Sequence, residues 1–213
     1  MIRLGKMNTL KVLKSVDLIA AEDTRHTLKL LNHFEIHKPL TSYHDHNKHQ
    51  KTPFLVNQIK EGKNIALVSD AGTPGISDPG YHLIRQALKE EISIIPIPGV
   101  SAMATALSAS GLPTHSFFFT GFLPRKAVAR RKILESLKPL ECTLVFYESP
   151  YRIKALLEDI SAVLGNRQVA VARELTKKYE EFIRGPVDDI LQNKSKYTVK
   201  GEFTVVVQGI LES

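Results

Sequence analysis

Short apolar, β-rich runs alternate with helical stretches along almost the whole chain, and this alternation restricts the fold more than any other feature. Ile65 to Ser69 (IALVS), Ile92 to Ile97 (ISIIPI), Ser116 to Thr120 (SFFFT), Thr143 to Tyr147 (TLVFY), Gln168 to Arg173 (QVAVAR) and Glu202 to Gly209 (EFTVVVQG) read as strands, with Ile19 to Ala21 a shorter one. Continuous apolar runs of this length suit strands covered on both faces. Helical spacing marks Leu10 to Leu18, Phe54 to Lys60, Tyr81 to Lys89, Ala127 to Leu137 and Tyr151 to Leu164. AEDTRHTLKLLNHF adds a helix with Asp23 or Thr24 as N-cap and Leu28, Leu30, Leu31 and Phe34 as its apolar face, and VSAMATALSASG adds one of small residues. Residues 37–53 are polar and predict a loop. Strands alternating with helices imply α/β layers with mostly parallel sheets. The length suits one large domain or two small ones, and Gly111-Leu112-Pro113-Thr114 is the best candidate boundary, dividing the chain into 1–112 and 113–213.

Composition excludes several other classes. With 213 residues, 43% hydrophobic and 24% charged, the chain can bury a core without staples and does not resemble a disordered protein. A single cysteine, Cys142, excludes a disulfide framework and a zinc ribbon, and a lone thiol fits the reducing cytoplasm. No apolar run approaches the roughly 18 residues that a membrane span needs, and no secretory signal is expected at the N-terminus. The net charge of +7 suits a polyanionic partner, and Phe122 to Lys138 concentrates it, with six Lys or Arg against one Glu.

The densest motif is Ser69 to Gly80, SDAGTPGISDPG, directly after a predicted parallel strand. Open α/β sheets place ligands at such strand ends. Its glycines and prolines fix the backbone and allow a ligand to approach closely, and Asp70 and Asp78 offer acceptors for hydroxyl or amino groups. The loop has no lysine and no Gly-Lys-Ser/Thr, so it is not a phosphate-binding P-loop. Pro98 to Ala102 (PGVSA) follows the next predicted strand, and Ser101 is placed to cap the helix after it.

In order, SDAGTPGISDPG, PGVSA, GFLPRK, YESPYR, RELTKKYEEFIRG and KGEFTVVVQG resemble the tetrapyrrole-methylase-like S-adenosylmethionine (SAM) methyltransferases. AEDTRHT and SYHDHNK are similar to the branch of that family that methylates the ribose 2′-hydroxyl of a decoding-centre cytidine in 16S rRNA. The resemblance spans about Leu4 to Gly209. It implies two α/β domains with SAM in the cleft between them, a homodimer, and the small ribosomal subunit as partner. Ala71, Gly72, Thr73, Pro74 and Ile76 stand at the family's SAM loop, and Ser101 and Ala102 at its Ser/Thr-Ala pair. Glu148 and Leu175 stand at further cofactor-lining positions. The family begins with a strand and a Thr-Pro-Ile-Gly-Asn-Leu loop before its first helix. Here Leu4 to Leu13 already matches that helix, so the first strand and one wall of the SAM cleft are expected to be absent.

A ribose hydroxyl is a weak nucleophile, so a base or hydrogen-bond acceptor is expected beside it. Glu22, Asp23 and Glu174 are the candidates, and the sequence does not choose among them. Arg25, Arg125, Lys126, Arg130, Arg131 and Lys177 are expected to bind RNA, with Arg173 also near phosphate. The histidines between His26 and His49 lie in a polar stretch, so no metal site is expected. Cys142 lacks the basic neighbours of a nucleophile. Two alternatives remain: a tetrapyrrole-type small-molecule methyltransferase, and a truncated, SAM-deficient RNA-binding remnant.

Overall fold

A computed structural model describes residues 3–192 and 200–210. They form two compact units, which divide between Val100 and Ser101. The sequence expectation set the boundary later, after residue 112.

Unit 1 contains α1 (Arg3–Ser15), β1 (Leu18–Ala21), α2 (Thr24–His33), β2 (Leu40–Ser42), α3 (Lys48–Lys60), β3 (Ile65–Val68) and α4 (Tyr81–Lys89). Its sheet has the order β2-β1-β3 and is wholly parallel. Successive β1 side chains point to opposite faces. Ile19 therefore packs with Leu13, Val16, Leu31 and Ile36, while Ala20 packs with Tyr43, Leu55, Val56 and Leu83. This central strand ends at Ala21, level with Val68 of β3. The loops that follow the two strands thus leave the sheet at the same end.

Unit 2 contains α5 (Ala102–Ala109), β4 (Phe117–Phe122), α6 (Ala127–Leu137), β5 (Thr143–Glu148), α7 (Ile153–Leu164), β6 (Gln168–Arg173), β7 (Glu181–Pro186), α8 (Val187–Gln192) and β8 (Phe203–Val207). The strand order is β4-β5-β8-β6-β7. Leu144 and Phe146 of β5 face Leu134 of α6 and Leu156, Leu157 and Ile160 of α7. Val145 faces the other way, with Ala106 and Leu107 of α5. The small residues of α5 let it lie close against the sheet.

Four expectations change. The second sheet is mixed: β4 and β5 are parallel, whereas β8 runs antiparallel to both β5 and β6, and β7 antiparallel to β6. ISIIPI forms no strand, and Ile95 is 76% exposed. Pro96 has no N–H to donate to a ladder. Residues 37–53 are not all loop, since β2 and the first turns of α3 lie there. The structure adds β7 and α8, which the apolar pattern did not indicate. Among the described residues, no helix is long and apolar enough to cross a membrane.

Candidate functional site

In unit 1 the two motifs at the ends of β1 and β3 are tied to each other. The Glu22 N–H donates to the Val68 carbonyl (3.2 Å). The Asp70 N–H donates to Glu22 Oε2 (3.2 Å), and the Asp23 N–H donates to Asp70 Oδ1 (3.2 Å). Glu22 and Asp70 each accept from the other motif, so the AEDTR and SDAGT segments hold one geometry. Asp23 is the N-cap of α2 and accepts from the Arg25 and His26 N–H groups (2.8 and 3.4 Å). The Arg25 guanidinium clasps it as well, at 3.2 and 2.9 Å. These contacts, the Arg25 side chain first, lower the Asp23 carboxyl to about 2. Arg25 itself is 88% exposed.

The 69–80 loop is braced from within. Ser69 Oγ donates to the Ala71 carbonyl (3.1 Å), Ile76 N–H to the Thr73 carbonyl (3.2 Å), and Thr73 Oγ1 to the Val100 carbonyl (3.2 Å). Gly72 has φ +77°, and a Cβ built there would meet only Asp78 Oδ2, at 3.9 Å. The backbone beside Gly72 is therefore open on the side where a side chain would stand. Ala71 and Ile76 are exposed, and Thr73 and Pro74 are half-buried. Sequence reasoning did not foresee the Thr73–Val100 tie, which links residues far apart in the chain.

In unit 2 the expected site residues divide. Ser101 occupies the N-cap position of α5, but its side chain makes no capping hydrogen bond, contrary to expectation. Ala102 opens the helix. The Glu148 carboxylate is fully buried, accepts from the Ser149 N–H (2.8 Å), and lies 3.0 Å from Arg152 Nη2. That contact is off the N–H direction, because Glu148 Oε2 has no aligned hydrogen bond. Leu175 is buried in the core beside Ala172 and Val206. Neither Glu148 nor Leu175 therefore presents its side chain at the surface.

The basic candidates divide as well. Arg130 was expected on an exposed flank, yet it is 4% exposed. Its Nε donates to Asp159 Oδ2 (2.6 Å), and so it joins α6 to α7. A buried carboxylate on the neighbouring helix draws this arginine inward, because neither charge is tolerated alone in the interior. Arg131 is exposed but donates to Asp159 Oδ1 (2.6 Å). Arg173 is a strut, donating to the Lys200 carbonyl (2.7 Å) and pairing with Glu181. Lys177 bridges Glu174 and Glu202 (3.0 and 2.9 Å). The Glu202 N–H donates to Glu174 (3.0 Å), and this bond, followed by Lys177, lowers the Glu174 carboxyl. Arg125 and Lys126, in the β4–α6 loop, are exposed. No salt bridge of theirs is found among the described residues.

A cavity of about 960 Å³ lies in unit 2 and includes Phe122, Arg125, Tyr151 and Arg152 in its walls. The sequence reading missed Phe122 and Tyr151. The signal available was their place inside the GFLPRK and YESPYR motifs, which put both at strand ends.

Residues 7–191 match the family model described as Tetrapyrrole (Corrin/Porphyrin) Methylases. The chain belongs to the tetrapyrrole methylase family. A relative from Halalkalibacterium halodurans named ribosomal RNA small subunit methyltransferase I is 56% identical over 94% of this chain and 69% of its own length. Proteins of the same name from Bacillus subtilis and Thermotoga maritima are 49% and 45% identical, over 92% and 95% of this chain and 68% and 91% of their own lengths. Among solved structures, diphthine synthase matches with a TM-score of 0.70 at 13% identity, over 96% of this chain and 84% of that one. The methyltransferase CobJ matches with a TM-score of 0.66 at 18% identity, over 95% and 87%. Uroporphyrin-III C-methyltransferase from Thermus thermophilus, complexed with S-adenosyl homocysteine, matches at 0.60 and 15% identity, over 94% and 89%. These likenesses are of fold, and they agree with the tetrapyrrole methylase assignment.

Proposed function

We propose that the chain is a SAM-dependent methyltransferase acting on the ribose 2′-hydroxyl of a decoding-centre cytidine, cytidine 1402, in the 16S rRNA of the small ribosomal subunit. The observation that carries this reading is the one name shared by relatives at 56%, 49% and 45% identity. Bound SAM supplies a methyl group already activated on a sulfonium, so the protein mainly aligns the reactants and manages one proton. The 69–80 loop suits such a ligand, because the backbone at Gly72 is open to close approach. Ala71, Gly72, Thr73, Pro74 and Ile76 hold it in this proposal, with Ser101 and Ala102. Glu148 and Leu175 shape their surroundings from the interior.

We assign Glu22 as acceptor of the 2′-hydroxyl proton. Its carboxylate stands at the end of the parallel sheet and is held by the Asp70 N–H. Asp23 is a weaker base, since its carboxyl is lowered to about 2. Glu174 is also lowered, by the Glu202 N–H and Lys177. Arg125 and Lys126 hold phosphates of the RNA backbone in this proposal, whereas Arg25 is taken up by Asp23. The proposal includes a homodimer in the cytoplasm, and sedimentation analysis tests the dimer.

The test is transfer of label from methyl-tritiated SAM, with small ribosomal subunits and uroporphyrinogen offered separately. Label in 16S rRNA is the expected result. Label in the porphyrinogen, or in neither, contradicts the proposal.

A further inference from the structure

The cavity in unit 2 sits at the ends of β4 and β5, where the chain leaves both strands towards α6 and α7. Two aromatic rings stand in its wall largely uncovered: Tyr151 is 92% exposed and Phe122 58% exposed. Single exposed aromatics are ordinary, but two lining one cavity form a concentrated apolar surface. Phe122 is braced edge-on by Tyr147, with ring centres 5.8 Å apart. Thr120 and Ser149 add hydroxyls, and Arg125 adds a cation.

The loop that carries Arg125 is fixed from beneath. Arg152 Nη2 donates to the Leu123 carbonyl (2.7 Å) and the Pro124 carbonyl (3.3 Å), the two residues just before Arg125. Arg130 Nη1 donates to the Arg125 carbonyl itself (3.4 Å). Buried Glu148 holds Arg152 in turn, at 3.0 Å. Among the described residues of the wall there is no carboxylate. The cavity therefore offers aromatic faces, hydroxyls and a positioned cation, and a volume of about 960 Å³ lies in the range of small-ligand pockets. This chemistry matches a flat ring joined to an anion.

We propose that this cavity takes one unstacked nucleotide of single-stranded RNA, its base against Tyr151 and Phe122 and its phosphate on Arg125. The proposal rests on the RNA reading of the preceding subsection and adds a subsite to it. Single-stranded RNA is favoured over duplex because only an unstacked base offers its face to an aromatic side chain.

The test uses the full chain and a single-stranded oligoribonucleotide carrying 2-aminopurine, with the matching duplex as control. Binding should quench the 2-aminopurine, and the duplex should bind more weakly. Tyr151→Ala should remove most of the quenching and weaken single-strand binding about 5- to 150-fold, the range for one stacked base, with the salt dependence unchanged. Tyr151→Phe should retain both. Arg125→Ala should leave quenching largely intact and flatten the log–log salt slope by about 0.7, one phosphate contact on a single strand. Tyr151 is exposed, so a thermal melt should show Tyr151→Ala to be folded. If the parent chain methylates small-subunit rRNA but Tyr151→Ala quenches and binds as it does, the subsite is wrong and the function stands. If the parent chain neither binds nor methylates RNA, both fall.

Discussion

At the head of α2, Asp23 accepts two backbone N–H groups and the Arg25 guanidinium, and its carboxyl sits at about 2 against an ordinary 3.8. A carboxyl depressed by folding contributes stability above its unfolded value and loses that contribution as pH falls through the folded one. The Asp23 contacts should therefore be intact above pH 4 and fail towards pH 2. Carboxyl NMR should give a midpoint near 2, and Arg25→Ala should raise it; an unshifted midpoint in the parent chain would refute the clasp. The same argument separates the base candidates. Glu22→Gln should lower the methylation rate by about 10²–10⁴-fold, the usual contribution of a positioned base. Asp23→Asn should cost far less activity, and equal losses would contradict the assignment to Glu22. Arg130 and Arg131, adjacent in sequence, should also part company. Removing Arg130 leaves Asp159 buried and half-paired and should cost about 3–5 kcal/mol in urea unfolding. Arg131→Ala removes an exposed partner and should cost about 0–1 kcal/mol. Sequence could not separate these two, because a run of basic residues shows charge and not depth. Both reach Asp159 on the facing helix, Arg130 from the interior and Arg131 from the surface, so depth and not partner divides them.

Among the elements, the buried strands were the most legible. TLVFY, QVAVAR and EFTVVVQG each carry a run of at least three apolar residues because both faces of the sheet are covered, and β5, β6 and β8 lie there. Edge pieces gave no such pattern. β7 reads EFIRGP, and its arginine, glycine and proline are tolerated because it ends the sheet and pairs on one side with β6. β2 has three residues, two of them hydroxyl-bearing. Direction was also hidden, since periodicity is the same for a strand running either way, and only the ladders show β8 to be antiparallel. The glycines and prolines of the 69–80 loop marked it as a candidate ligand loop, but its tie to Glu22 was not legible, because that contact depends on β1 and β3 being neighbours. Gly72→Val tests the loop as an element. The positive φ should strain the variant by about 1–3 kcal/mol, and the added side chain would fill the open approach. Calorimetry should find SAM affinity abolished in a protein that still melts cooperatively. Unchanged affinity would move the cofactor elsewhere.

At the scale of the whole molecule, the proposed chemistry divides between the two units. Unit 1 has the open loop and Glu22; unit 2 has the aromatic cavity and the exposed Arg125 and Lys126. The net charge of +7 sets the background attraction for a polyanion, but only cations free of carboxylate partners should change the salt dependence when removed. The central claim is that the methyl group ends on a ribose oxygen of small-subunit rRNA. Mass spectrometry of nucleosides digested from 16S rRNA, after reaction of small subunits with the chain and deuterium-labelled SAM, tests it most directly. The account predicts labelled 2′-O-methylcytidine, lost with Glu22→Gln. Label on a base, on another nucleoside, or undiminished in Glu22→Gln would contradict it.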